Sequence, residues 1–250
     1  MFHLCAYEED IGTTADTELD AIPDDVVNRE SDRFKFLQDM DIVFAMAMSA
    51  TLNRAKLSCP SYRNITSPYI TPVEVGATPG DYFRLMDLRN SPLRLPRREQ
   101  LTVEATSDIA MGTEQAFVLL GVRDRFMPSP SGNSFLLRGT STTAATADRW
   151  TEVDVTWEDI PKQGTYTVVG LHYIAATGVA ARVNFQNQIW RPGCVAVDTV
   201  GDQPHPMFMH GGLGSWGKFD ADTFPLIEVL NAAAVAVHTF YLEIVPDRAF

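Results

Sequence analysis

The chain has 250 residues, 45% of them hydrophobic and 21% charged, with a net charge of −12 and three cysteines. That balance excludes intrinsic disorder, and Cys5, Cys59 and Cys194 are too scattered for a disulfide framework or a zinc cluster. Residues 1–50 hold 12 acidic and 3 basic side chains, which excludes that segment as a nucleic-acid arm, because phosphate contacts need Lys and Arg.

The opening MFHLCAYEED has no basic stretch leading into an apolar run, so no secretory signal is expected there. The longest apolar run, near Ile42–Met48, is far too short to span a bilayer as a helix. Residues 1–36 read as an acidic N-terminal arm, broken at Pro23-Asp24-Asp25. The segment 37–57 fits two periods. Met40, Phe44, Met48 and Leu52 recur every four residues as on a helix, while Ile42, Phe44, Met46 and Met48 share one face of a strand. The strand is preferred because nearly everything after it is β-like.

Residues 58–98 carry six prolines and read as a long connector, which excludes a long helix and leaves room only for edge strands. Within it SPLRLPRR gathers Arg94, Arg97 and Arg98, too short a basic patch for nucleic acid on its own and a charge match for acidic segments elsewhere, the arm of a neighbouring subunit included. From residue 99 the period becomes two. Leu101, Val103 and Ala105 alternate with polar residues, and Val153, Val155 and Trp157 alternate with Glu152, Asp154, Thr156 and Glu158. Ala116–Val122 is continuously apolar and predicts a strand buried on both faces. Thr165–Ala176 and Val179–Trp190 predict a hairpin turning at Thr177-Gly178, and Val195–Val197, Leu226–Leu230 and Val235–Val245 complete the series. No amphipathic helix intervenes, so the expected class is all-β: an antiparallel sandwich of jelly-roll type with about eight strands, occupying residues 37–250 as one domain.

The strongest claim to chemistry is Gly212–Phe219, GLGSWGKF, which fits G-x-x-x-x-G-K-[ST] up to its last position. A phosphate loop follows a buried strand and opens a helix. Here prolines precede it, Pro225 follows it, and Phe219 replaces the hydroxyl that would hold magnesium. It is read as a glycine turn with Trp216 and Phe219 as aromatic anchors in a core or an interface. The segment also misses the nucleophile elbow, because Leu213 stands where its first glycine belongs. His3, His172, His205, His210 and His238 form no H-x-H pair, and Asp220-Ala221-Asp222 starts like a calcium loop but lacks the later glycine and glutamate. No metal, cofactor or catalytic residue is expected. The match of Asn64-Ile65-Thr66 to a glycosylation sequon is read as chance.

An arm, a long proline-rich connector and then an eight-strand-like β-body together resemble the jelly-roll coat proteins of icosahedral viruses, phages included. The resemblance is architectural and covers roughly residues 37–250. It implies a non-enzymatic capsid subunit, made in the host cytoplasm and residing in the virion. Such a subunit would self-assemble through arm and loop contacts with copies of itself and with other virion proteins. The candidate interface residues are Arg94, Arg97, Arg98, Trp190, Trp216 and Phe219. Many such coat proteins reach their genome through a basic arm, and the acidic arm here implies no such contact. A carbohydrate-binding, receptor-binding or decoration module is the alternative, with Trp190, Trp216 and Phe219 as a sugar platform.

Overall fold

A computed structural model describes all of the chain except residues 1, 13, 25–26, 31, 64–66, 77, 81–82, 109–113, 236 and 248–250, and the side chains of 28–30 and 63. The sequon at 64–66 lies outside the described residues. Strands dominate, as expected, and the chain divides into two compact units: Leu4–Arg125, and Phe126–Phe250 together with Met1–His3. In sequence the two units meet at 125/126, and the described residues form 21 strands where about eight were expected.

The N-terminal unit holds β1 (Phe2–Ile11, whose first two residues belong to the other unit), β2 (Thr17–Ala21), β3 (Asn28–Glu30), β4 (Arg33–Lys35), β5 (Met40–Ser49) and β6 (Leu52–Ser58). After one helical turn, α1 (Pro60–Arg63), come β7 (Tyr69–Ile70), β8 (Glu74–Val75), β9 (Met86–Asp87), β10 (Leu93–Leu95), β11 (Gln100–Ser107) and β12 (Glu114–Arg123). One sheet runs β10-β5-β12-β1-β2-β11-β4-β3, and β6 adds to β11. Strands β5 and β6 are joined by two residues yet are separated by four strands along that path. A flat sheet would hold them about 24 Å apart at about 4.8 Å per strand. The link spans at most about 11 Å. The sheet must therefore roll back on itself.

Residues 1–36 are not an arm. Leu4, Ala6, Tyr7, Ile11, Leu19 and Phe34 are wholly buried, and β1, β2 and β4 are interior members of the sheet. The net acidity of the segment hid this pattern, since its charges sit at the positions between buried ones. Residues 37–57 are strands, as preferred, and β5 and β12 are buried on both faces over Ile42–Met48 and Ala116–Val122. The proline-rich stretch contributes short edge strands: β8, β9 and β10 pair with β5, and β7 with β6.

The C-terminal unit holds β13 (Phe135–Ser141), β14 (Thr151–Val153), β15 (Thr156–Trp157), β16 (Thr165–Ile174), β17 (Gly178–Asn184) and β18 (Gly193–Val197). A 3-10 turn at Pro206–Phe208 precedes β19 (Gly217–Asp220), β20 (Leu226–Asn231) and β21 (His238–Pro246). Its sheet runs β14-β20-β17-β18-β16-β21-β13-β15, with β19 on β16. The run 152–158, predicted as one clean strand, is two: β14 and β15 occupy opposite ends of the path with only Asp154 and Val155 between them. A flat path of eight strands would separate its ends by about 34 Å, so this sheet too is rolled until its edges approach. The turn at 177–178 forms, with the Gly178 amide donating to the Ala175 carbonyl at 2.9 Å. Its strands are not partners, however. Strand β18 lies between β16 and β17, parallel to the first and antiparallel to the second.

Candidate functional site

The glycine-rich segment is a tightly wound loop, and its glycines serve close packing. Gly211 and Gly214 have φ of 70° and 82°, and a Cβ on Gly214 would lie 2.1 Å from the Met127 carbonyl oxygen. Its amides are engaged within the unit: Gly211 donates to Val169, Gly212 to Met209, Gly214 to Gly211, Ser215 to Met127 and Trp216 to Val168, all to carbonyls within 3.1 Å. From Gly217 the chain enters β19 and pairs with β16. A phosphate cradle needs several amides pointing together at an anion, and these point at carbonyls.

The predicted aromatics are core residues of this unit. Trp216 is 1% exposed, with Phe2 5.9 Å from it, ring centre to ring centre. Phe219 stacks on Tyr166 and meets Phe224 edge-on. Trp190 packs edge-on against His3, whose Nδ1 accepts from the Arg191 amide at 3.0 Å. Met127, Asn187, Gln188, Ser215, Trp216, Gly217 and Lys218 line an open cleft of 310 Å³. Buried as they are, the three aromatics present no flat face for a sugar ring to stack on.

The arginines are placed differently. Arg94, Arg97 and Arg98 lie together on the surface of the N-terminal unit, where β10 ends and turns towards β11. Asp39 receives the Arg94 Nη2 at 2.6 Å and the Arg97 amide at 2.9 Å. The Arg97 amide, then the Arg94 guanidinium, hold the Asp39 carboxyl below its ordinary pKa. Arg98 adopts φ 66°, an uncommon conformation for a side-chain-bearing residue, with its amide on the Phe36 carbonyl at 2.7 Å. Its side chain has no hydrogen bond or ion pair among the described residues. Beside it opens a cleft of 380 Å³ lined also by Arg33, Lys35, Cys59, Glu99 and Thr102. Burial pushes the Cys59 thiol up to about 11, which makes it a poor nucleophile at neutral pH.

A second surface feature belongs to β13 in the C-terminal unit. Phe135 and Leu136 are adjacent and 52% and 56% exposed. On one side β13 pairs with β21 along its length; on the other, β15 covers only Gly139 and Thr140. The Glu158 amide donates to the Arg138 carbonyl at 2.8 Å, so the backbone groups of Arg138 face the β15 side. By the two-residue period those of Leu136 face the same way, beyond the end of β15. The result is an apolar strand edge with open hydrogen-bonding groups.

No protein-family model matches the chain, and no curated protein matches its sequence. Among solved structures it is similar to the major capsid protein P2 of bacteriophage PM2, at 8% identity over the whole of both chains with a TM-score of 0.25. A superposition of that quality carries no argument about fold or function.

Sequence reading missed the buried polar groups of the C-terminal unit. Glu228 bonds Arg182 Nε and, at 2.9 Å, Arg191 Nη1, while the Arg182 guanidinium lies 4.1 Å above the Trp150 ring. Tyr173 Oη donates to Asn231 at 2.8 Å and lies 3.0 Å from His238 Nδ1, whose other nitrogen faces the Thr143 carbonyl. The buried Glu243 carboxylate accepts the His210 amide at 2.6 Å. No motif announces these groups, because the hydrogen-bonded partners are 33 to 95 residues apart. Among the described residues, no three His, Cys, Asp or Glu side chains gather to hold a metal ion.

Proposed function

We propose that the chain is a structural shell subunit of the jelly-roll coat class, residing in a virion and associating with copies of itself. The observation that carries this reading is the uncovered β13 edge with Phe135 and Leu136. An exposed apolar strand end with unpaired backbone groups is a liability for a protein that stays alone, and a repeating assembly covers it. Two rolled-sheet bodies in tandem suit the role, since each presents many short loops to neighbours while its interior stays closed. The reading assigns no catalytic step to the chain, and it moves the assembly contacts from a terminal arm to strand edges and surface loops.

The test is light scattering and negative-stain electron microscopy of the full chain over a range of concentration and salt. Regular particles or sheets are expected, and Phe135→Lys with Leu136→Lys should reduce them at least tenfold while leaving the circular dichroism spectrum unchanged. A monodisperse monomer under all conditions overturns the reading.

A further inference from the structure

The arginine patch identifies which surface a neighbouring copy would present to it. The chain carries −12, so a cluster of three arginines is a local exception on an acidic molecule. Asp39 already shows how the patch takes a carboxylate, with one oxygen on a guanidinium and the other on a backbone amide. Arg94 is engaged there, which leaves the exposed side chains of Arg97 and Arg98 facing outward.

In the C-terminal unit the stretch Glu152–Asp159 is the complementary feature. Val153 is buried and anchors β14 to β20, so Glu152 and Asp154 flank it as exposed neighbours. Glu158 pairs with Arg138, but Glu152, Asp154 and Asp159 have no cationic partner among the described residues. Three carboxylates thus stand uncompensated on the short crossing between the two edges of the rolled sheet.

We propose that copies of the chain associate head to tail, the Arg97–Arg98 face of the N-terminal unit of one copy receiving the Glu152–Asp154 ribbon of the C-terminal unit of the next. This rests on the shell reading and specifies one of its contacts. The two surfaces differ, so the contact is heterologous: repeated, it builds a ring or an open array, not an isolated two-fold dimer. Its charge makes it sensitive to screening, which acts over about 8 Å at physiological salt.

The experiment uses two charge-reversed full-length variants that leave Arg94 and Asp39 intact: R97E/R98E and E152K/D154K. Each should keep the parent's urea midpoint, because the altered side chains are exposed. Each alone should associate at least tenfold more weakly than the parent, since like charges then meet. An equimolar mixture should recover association, because both kinds of contact between unlike copies are again complementary. If the parent assembles and either variant alone assembles equally well, or the mixture recovers nothing, this contact is wrong while the shell reading stands. If the parent stays monomeric throughout, both fall.

Discussion

The two units have the same kind of backbone, a single sheet rolled on itself, but place their polar groups in opposite ways. In the N-terminal unit the buried spans Ile42–Met48 of β5 and Ala116–Val122 of β12 are apolar, and the ion pairs sit outside: Arg33 with Glu18, Lys56 and Arg54 with Asp16, Arg94 with Asp39. In the C-terminal unit Arg182, Glu228, Asn231, His238 and Glu243 are all buried, and their partners are the architecture of the core. A core sealed by apolar packing tolerates the loss of any one charge. A core containing ions does not, because removing one partner leaves the other without water and without a counter-charge. Tolerance to charge substitution should therefore differ sharply between the units.

The largest effect is expected at Glu228. Glu228→Gln removes the carboxylate bonded by Arg182, whose side chain is 1% exposed, and by Arg191, and should cost about 3–5 kcal/mol in urea unfolding. A loss below about 1 kcal/mol would mean that water reaches the pair and that the two cores are less different than their burial indicates. Gly214→Ala comes next, at about 2–3 kcal/mol, because the new Cβ meets the Met127 carbonyl and φ is 82°. Hydrogen exchange should report that loss in the C-terminal unit, with the N-terminal unit unchanged.

Acid sharpens the comparison further. Burial lowers the His172 pKa to about 4, and burial lowers that of His238 too. Between its ordinary value near 6.5 and about 4, His172 takes up a proton in the unfolded chain but not in the folded one, so stability falls as pH falls through that window. The C-terminal unit should lose about 2 kcal/mol there, allowing for partial solvation of the ring, and His172→Gln should flatten the slope. Protection factors, taken relative to the intrinsic exchange rate at each pH, should fall between pH 7 and pH 4.5 in the C-terminal unit first. Equal falls in both units would contradict the assignment.

The same contrast explains what the sequence made legible. Period and apolarity identified β5, β11, β12, β16, β18, β20 and β21, because a buried strand writes its pattern locally. The all-β class follows from that pattern. Partner order did not, because nothing in Val153–Trp157 distinguishes one strand from two that close a rolled sheet. The acidic charges of residues 1–36 concealed Tyr7, Leu19 and Phe34, whose burial depends on strands far along the chain. Among the candidate site residues, clustering was legible for the arginines, whose neighbours in sequence are neighbours in space. For Trp190, Trp216 and Phe219 turn-like surroundings left a core, an interface or a binding role open, and packing against Phe2, His3 and Tyr166 puts them in a core.

The smallest effect belongs to Asp16, and it tests the apolar side of the comparison. This carboxylate meets Arg54 at 2.9 Å, Lys56 at 2.8 Å and the Thr106 hydroxyl, and the Lys56 and Thr106 hydrogen bonds hold its pKa well below the usual carboxylate range. It has as many bonded partners as Glu228, which holds Arg182, Arg191 and Asn184. Yet its side chain is 32% exposed, and Lys56 has Glu104 at 2.8 Å as a second partner. Water and Glu104 both compensate the cations when Asp16 is neutralised, so Asp16→Asn should cost no more than about 1 kcal/mol at neutral pH. Because the folded-state pKa is depressed, its contribution is present above the ordinary value of 3.8 and is lost as pH falls below it. The parent and Asp16→Asn should therefore converge in urea midpoint on acidification below that value, and also in high salt. A cost at neutral pH as large as that of Glu228→Gln would show that the Asp16 cluster acts as a buried network, and the proposed division between the two cores would fail.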